Sequence, residues 1–99
     1  MAFEVRQSSI YREWFDRLRD RQAKARIDIR IRRLSMGNLG DAKSVGSGIS
    51  ELRIDHGPGY RVYFSRRGKT IVVLLCGGDK RTQQADIDRA VEIAKHWTE

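Results

Sequence analysis

The chain has 99 residues, 39% of them hydrophobic and 33% charged, enough for one small core and too few for two. Twenty Lys and Arg against thirteen Asp and Glu give a net charge of +7 and a pI near 10.2, the balance of a domain that meets phosphates. No apolar run reaches the roughly 18 residues of a transmembrane helix, and one cysteine with two distant histidines offers neither an internal disulfide nor a metal-ligand spacing. The start, Met1-Ala-Phe-Glu-Val-Arg6, lacks the charged-then-apolar layout of a signal peptide. The expectation is one cytoplasmic domain over 1–99, without metal or cofactor.

In chain order, Phe3–Arg6 is a short strand candidate able to pair with the strands that follow it later in the chain. Ser8 or Ser9 can then cap a helix whose Ile10, Trp14 and Leu18 recur at spacing four, with Phe15 beside them. Asp20 can cap a second helix with Ala23, Ile27, Ile31 and Leu34 on one face. Ile27–Arg32 alternates like a strand, but strong helix formers flank it and the helical stripe runs through both flanks. Helix is the stronger reading, ending at Gly37 as a left-handed cap. From Arg17 to Arg33 there are eight basic residues against two acids, read either as a solvated face or as phosphate contacts. Gly37–Gly48, rich in glycine and small polar residues, reads as a loop.

The stretch from Ile49 to Leu75 organises the rest. Ile49–Asp55, Tyr60–Ser65 and Thr70–Leu75 are separated by glycine-containing turns, the pattern of an antiparallel meander. Period-two alternation places Leu52 and Ile54 on one face and Glu51, Arg53 and Asp55 on the other. In the next strand Tyr60, Val62 and Phe64 share a face, and Arg61, Tyr63 and Ser65 share the opposite one. The third strand is apolar on both sides, as a covered central strand should be. A last helix carries Ile87, Ala90, Val91, Ala94 and Trp97 as its stripe, with Asp79 or Thr82 to cap it.

Glu51-Leu-Arg-Ile54, Gly59-Tyr-Arg-Val-Tyr-Phe64 and Leu75-Cys-Gly-Gly-Asp-Lys-Arg81 resemble the RelE/ParE toxin superfamily, and most closely its HigB-like addiction-module-killer branch. The resemblance covers nearly the whole chain and implies a small α+β RelE-like domain of order β-α-α-β-β-β-α, an antiparallel sheet with helices on one face. It also implies the toxin of a type II toxin–antitoxin system, in hetero-oligomer with a cognate helix-turn-helix antitoxin and without a membrane. RelE-type members are ribosome-dependent mRNA endonucleases that work without metal, by attack of the ribose 2′-OH on the adjacent phosphate; ParE-type members share the fold and inhibit DNA gyrase. By the resemblance, Arg61 and Arg81 fall at the two arginine positions of RelE-type toxins, and Arg53 near a lysine position. Glu51 stands where that pattern has a further basic residue, and Ile87 where it has a tyrosine, so the proton-handling groups are unmarked.

The chemistry itself asks for a proton acceptor at the 2′-OH, a donor at the 5′-oxygen and cations around the phosphorane. Arginine suits the last role, because its planar fork binds phosphate oxygens in pairs and stays charged. Arg53 and Arg61 share a face on adjacent strands, and Lys80 and Arg81 can close over one end of it. The competing reading pairs the strand arginines with Glu51 or Asp55. Tyr63 could stack on a base or pack in the core, His56 could carry a proton or stand exposed in its turn, and Gln83 could reach a nucleotide edge. Arg61 and Arg81 are expected to be removable at little cost in stability, as surface residues are.

Overall fold

The sheet is assembled around the most apolar stretch of the chain. In the computed structural model, which describes residues 2–98, Ile71–Asp79 (β5) is buried continuously from Val72 to Gly77. Met1 and Glu99, the ends of the expected 1–99 domain, lie outside the described residues. Around β5 are β1 (Glu4–Gln7), β2 (Ala42–Gly46), β3 (Ile49–Ile54) and β4 (Tyr60–Arg67), in the sheet order β1-β5-β4-β3-β2. The helices are α1 (Ser9–Arg17), α2 (Arg21–Ser35) and α3 (Gln83–His96), with a 3₁₀ turn over Lys80–Thr82 leading into α3.

The α+β class and the expected order of elements hold, and three details differ. Ala42–Gly46, read as loop, is a strand antiparallel to β3. Its short polar residues carry little strand propensity, so pairing with β3 decides the matter. A two-residue turn, Ser47 and Gly48 with φ of 55° and 75°, closes the hairpin in the left-handed geometry that suits the strand twist. Second, the sheet is mixed, because β1 runs parallel to β5 while the other pairings are antiparallel.

Third, the helices cover both faces rather than one. Tyr11, Ile27 and Leu34 from α1 and α2 pack with Leu52, Ile54, Val62, Phe64, Val72 and Leu74 on one side. Ala90 of α3 packs with Ile49, Tyr63, Val73, Leu75 and Cys76 on the other, joined by Ile87, Val91, Ala94 and Trp97. A strand apolar on both sides needs two covers, and one extra residue in β5 opposite Tyr63/Phe64 puts Leu75 and Cys76 on the same side.

Local capping follows the residues. Ser8 accepts the Tyr11 N–H and donates to the Leu75 carbonyl, pinning the start of α1 to β5. Tyr11, absent from the expected stripe, is 1% exposed. Asp20 accepts from the N–H groups of Gln22 and Ala23 at the start of α2. At its end the Gly37 N–H reaches the Leu34 carbonyl and the Asn38 N–H the Arg33 carbonyl, with Gly37 at φ 91°. The Ile27–Arg32 alternation is thus overridden, and α2 buries Ala23, Ile27 and Leu34.

Candidate active site

On the α3 side of the sheet, β3 and β4 pair so that Glu51 lies opposite Tyr63 and Arg53 opposite Arg61. α3 covers the first pair and leaves the second open. The open end is a cleft of about 360 Å³ whose walls include Asp41, Arg53, Asp55, Arg61 and Lys80. Three of the four expected catalytic cations therefore converge on one concavity. Arg81 stands just outside it at the rim, 79% exposed and paired with Asp79 at 2.9 Å. That guanidinium holds the Asp79 carboxyl below its ordinary range.

Beneath the cleft lies a polar network that the strand pattern alone does not show. Glu51 is fully buried and takes Arg61 Nη1 at 2.8 Å on one carboxylate oxygen. Its other oxygen takes the Tyr63 hydroxyl at 3.1 Å and Gln83 Nε2 at 2.8 Å. A buried carboxylate is tolerable only when paired and bonded in this way. Arg61 is correspondingly sunk, its side chain 12% exposed and its Nε buried without a partner among the described residues. Its remaining Nη2 edge is left to serve the cleft.

Behind Arg61 two glycines are set by space. Gly78, which pairs with Arg61, has no room for a Cβ, since one would stand 1.9 Å from Asp86 Oδ2; at Gly77 one would meet the Trp14 ring at 2.3 Å. Asp86 is itself buried and accepts the Thr82 hydroxyl at 2.6 Å; burial raises its carboxyl above the ordinary range. Cys76, whose Sγ donates to the Asp86 carbonyl, is a core thiol pushed by burial up to about 12. It is inert at neutral pH.

The remaining expected site residues fall elsewhere. Tyr63 is fully buried in the α3 cluster with its hydroxyl on Glu51, so it has no ring face for a base. Burial, followed by the Glu51 charge, raises its phenol strongly. Gln83 is spent on Glu51. His56 pairs with Asp20 at 3.0 Å, at the start of α2, and does not line the cleft. Arg53 is bound by Asp41 at 3.0 Å, not by Glu51 or Asp55. Asp41, at the cleft wall, was not a candidate from the sequence, because the segment before β2 reads as loop. The signal that could have found it is the Ser47-Gly48 turn, which folds Ala42–Gly46 back onto β3.

Comparison with known proteins fits this frame. A family model described as "Phage derived protein Gp49-like" matches residues 13–97. An uncharacterized protein of Haemophilus influenzae is 47% identical over 95 residues, 96% of each chain. Among solved structures, a double arginine-to-alanine mutant of the E. coli toxin RelE in the free state superposes with a TM-score of 0.76. It covers 93% of this chain and 97% of that one at 14% identity, a likeness of fold.

Proposed function

The chain belongs to the phage-derived Gp49-like family and has the RelE-like fold, and from that premise we propose that it is the toxin of a type II toxin–antitoxin pair that cleaves messenger RNA on the ribosome. The observation that carries this reading is the convergence of Arg53, Arg61 and Lys80 on one open cleft, with Arg81 at its rim. A phosphate seated between Arg53 and Arg61 gathers the negative charge that grows when a ribose 2′-OH attacks it. Glu51 fixes Arg61 in advance, so the guanidinium needs no reorganisation as charge develops. The basic surface brings the domain to ribosomal phosphates, a sequence-independent and salt-dependent attraction. In the HigB-like reading the partner is a helix-turn-helix antitoxin in the cytoplasm, bound as a hetero-oligomer over the basic surface or beside it.

A second reading has its own support. Ile87, at the tyrosine position of RelE-type toxins, packs into the apolar α3 cluster and handles no proton. That favours a ParE-type inhibitor of DNA gyrase, which needs no cleavage chemistry. Expression in bacteria tests both. The expected result is growth arrest with translated messages cut and supercoiling unchanged, relieved by the antitoxin. Intact messages with accumulated gyrase cleavage complexes select the second reading, and normal growth at verified soluble expression removes both.

A further inference from the structure

The cleft at the open end of the sheet holds a pair of arginines flanked by two groups of opposite charge. Arg61 on β4 pairs with Arg53 on β3, Asp41 stands just before β2 beside Arg53, and Lys80 lies just past β5, two residues beyond the Gly78 that faces Arg61. All four line the same cleft. Because β5 and β2 lie on opposite sides of β4 and β3, Lys80 and Asp41 flank a phosphate seated on the two arginines. An in-line displacement needs that layout, because the attacking and leaving oxygens stand on opposite sides of phosphorus.

Asp41 is held where it stands. Its Oδ1 takes both Nε and Nη2 of Arg53, at 3.2 and 3.0 Å. Its carbonyl accepts the Arg53 N–H at 2.9 Å and Arg30 Nη2 at 3.2 Å. Both guanidinium bonds fall on one oxygen, so Oδ2 is without a partner among the described residues. The other carboxylates fit less well. Glu51 has both oxygens taken and no exposure. Asp55 lines the cleft, but no hydrogen bond or ion pair among the described residues fixes its side chain.

Building on the reading above, we infer that Asp41 is the general base of RNA cleavage, its Oδ2 taking the 2′-OH proton. The O2′–P bond forms while the P–O5′ bond breaks, and the departing O5′ takes a proton from the Lys80 ammonium. The products are a 2′,3′-cyclic phosphate and a 5′-hydroxyl. Asp41 then loses its proton to solvent, and solvent restores that of Lys80. The sequence marks no such base, and the tyrosine position is closed by Ile87.

The test is single-turnover cleavage of a translated message on saturating ribosomes by the full chain and by Asp41→Asn, from pH 4 to 8. Asparagine keeps an oxygen for Arg53 but cannot take a proton, so it separates a base from a brace. Expected is a loss of about 10²–10⁴-fold with ribosome affinity unchanged, and a changed pH dependence of the rate. Asp41→Glu, which keeps a carboxylate, should recover part of the rate and guards against an Asn variant that fails to fold. Cleavage by Asp41→Asn within about threefold of wild type (a change well under 1 kcal/mol) overturns the assignment and leaves Asp41 a brace for Arg53. A comparable loss in Asp55→Asn with Asp41→Asn active moves the base to Asp55. Absence of cleavage by the wild type overturns the nuclease reading itself.

Discussion

One face of one sheet has two fates a few residues apart. At Ile49, Glu51 and Tyr63 it is roofed by α3 and dry; at Arg53 and Arg61 it opens as the cleft. Both ends alternate polar and apolar in the sequence, yet the roof converts one into a buried network and leaves the other able to bind. Arg61 belongs to both, with its Nη1 anchored on buried Glu51 and its side chain at the cleft wall. The dry end is thus a mount for the wet one. The physical reason is dielectric: a carboxylate that is weak glue in water becomes a rigid fixture when desolvated and fully bonded.

Six substitutions break or sharpen that contrast, from the largest effect down. Glu51→Ala should be the most damaging, because it strands the largely buried Arg61 guanidinium and unties Tyr63 and Gln83. A loss of about 3–5 kcal/mol is expected by urea unfolding; a loss of only a few tenths would mean that the network is ornamental. Arg61→Ala should cost about 2 kcal/mol or more, since it removes the charge facing buried Glu51. The same variant should lose cleavage by about 10²–10³-fold. The sequence-based expectation that Arg61 can be removed cheaply is therefore revised, while for exposed Arg81 it stands. Arg81→Ala should lower the melting temperature far less than Arg61→Ala, losing only an exposed pair with Asp79, while still reducing cleavage, so a comparable thermal shift in both variants would erase the distinction between anchored and rim arginine.

Gly78→Ala should cost about 1–3 kcal/mol, because its Cβ has no space beside Asp86. A melting temperature equal to wild type would show that Asp86 and the α3 start can move away freely. The smallest effect concerns Asp86 and pH. Its folded carboxyl is raised, so the native state binds the proton more tightly than the unfolded chain. Stability contributed by this group therefore falls as pH rises from about 4 through its folded titration. Asp86→Asn, still able to accept from Thr82, should raise the melting temperature at neutral pH, and the gain should vanish below about pH 4. Asp79 runs the other way: held low by Arg81, it adds stability at neutral pH that is lost as pH falls through its folded titration. Thermal melts of both Asn variants across pH 3–8 give opposite slopes if these directions hold.

The strands and helices with strong periodicity were legible without a structure. So were the caps at Ser8, Asp20 and Gly37, because each rests on bonds made within a few residues. What escaped was long-range. Tyr11 sits outside the spacing-four stripe and is buried because two helices and a sheet close over it. β2 lacks strand propensity and exists through β3. Asp41 escaped with it. Glu51 and Tyr63 read as members of a polar face until α3, far along the chain, covers them.

The sequence by itself determined the period of each element, the alternation that sets Arg53 and Arg61 on one face, and the excess of basic charge. These are properties of neighbours along the chain, carried by backbone geometry and composition. Only the tertiary structure decided which part of that face stays wet, that Asp41 joins the arginines at the cleft, and that a carboxylate is buried beneath it. Those depend on which distant segment excludes water from a side chain. Desolvation, unlike periodicity, is not a local property of the chain.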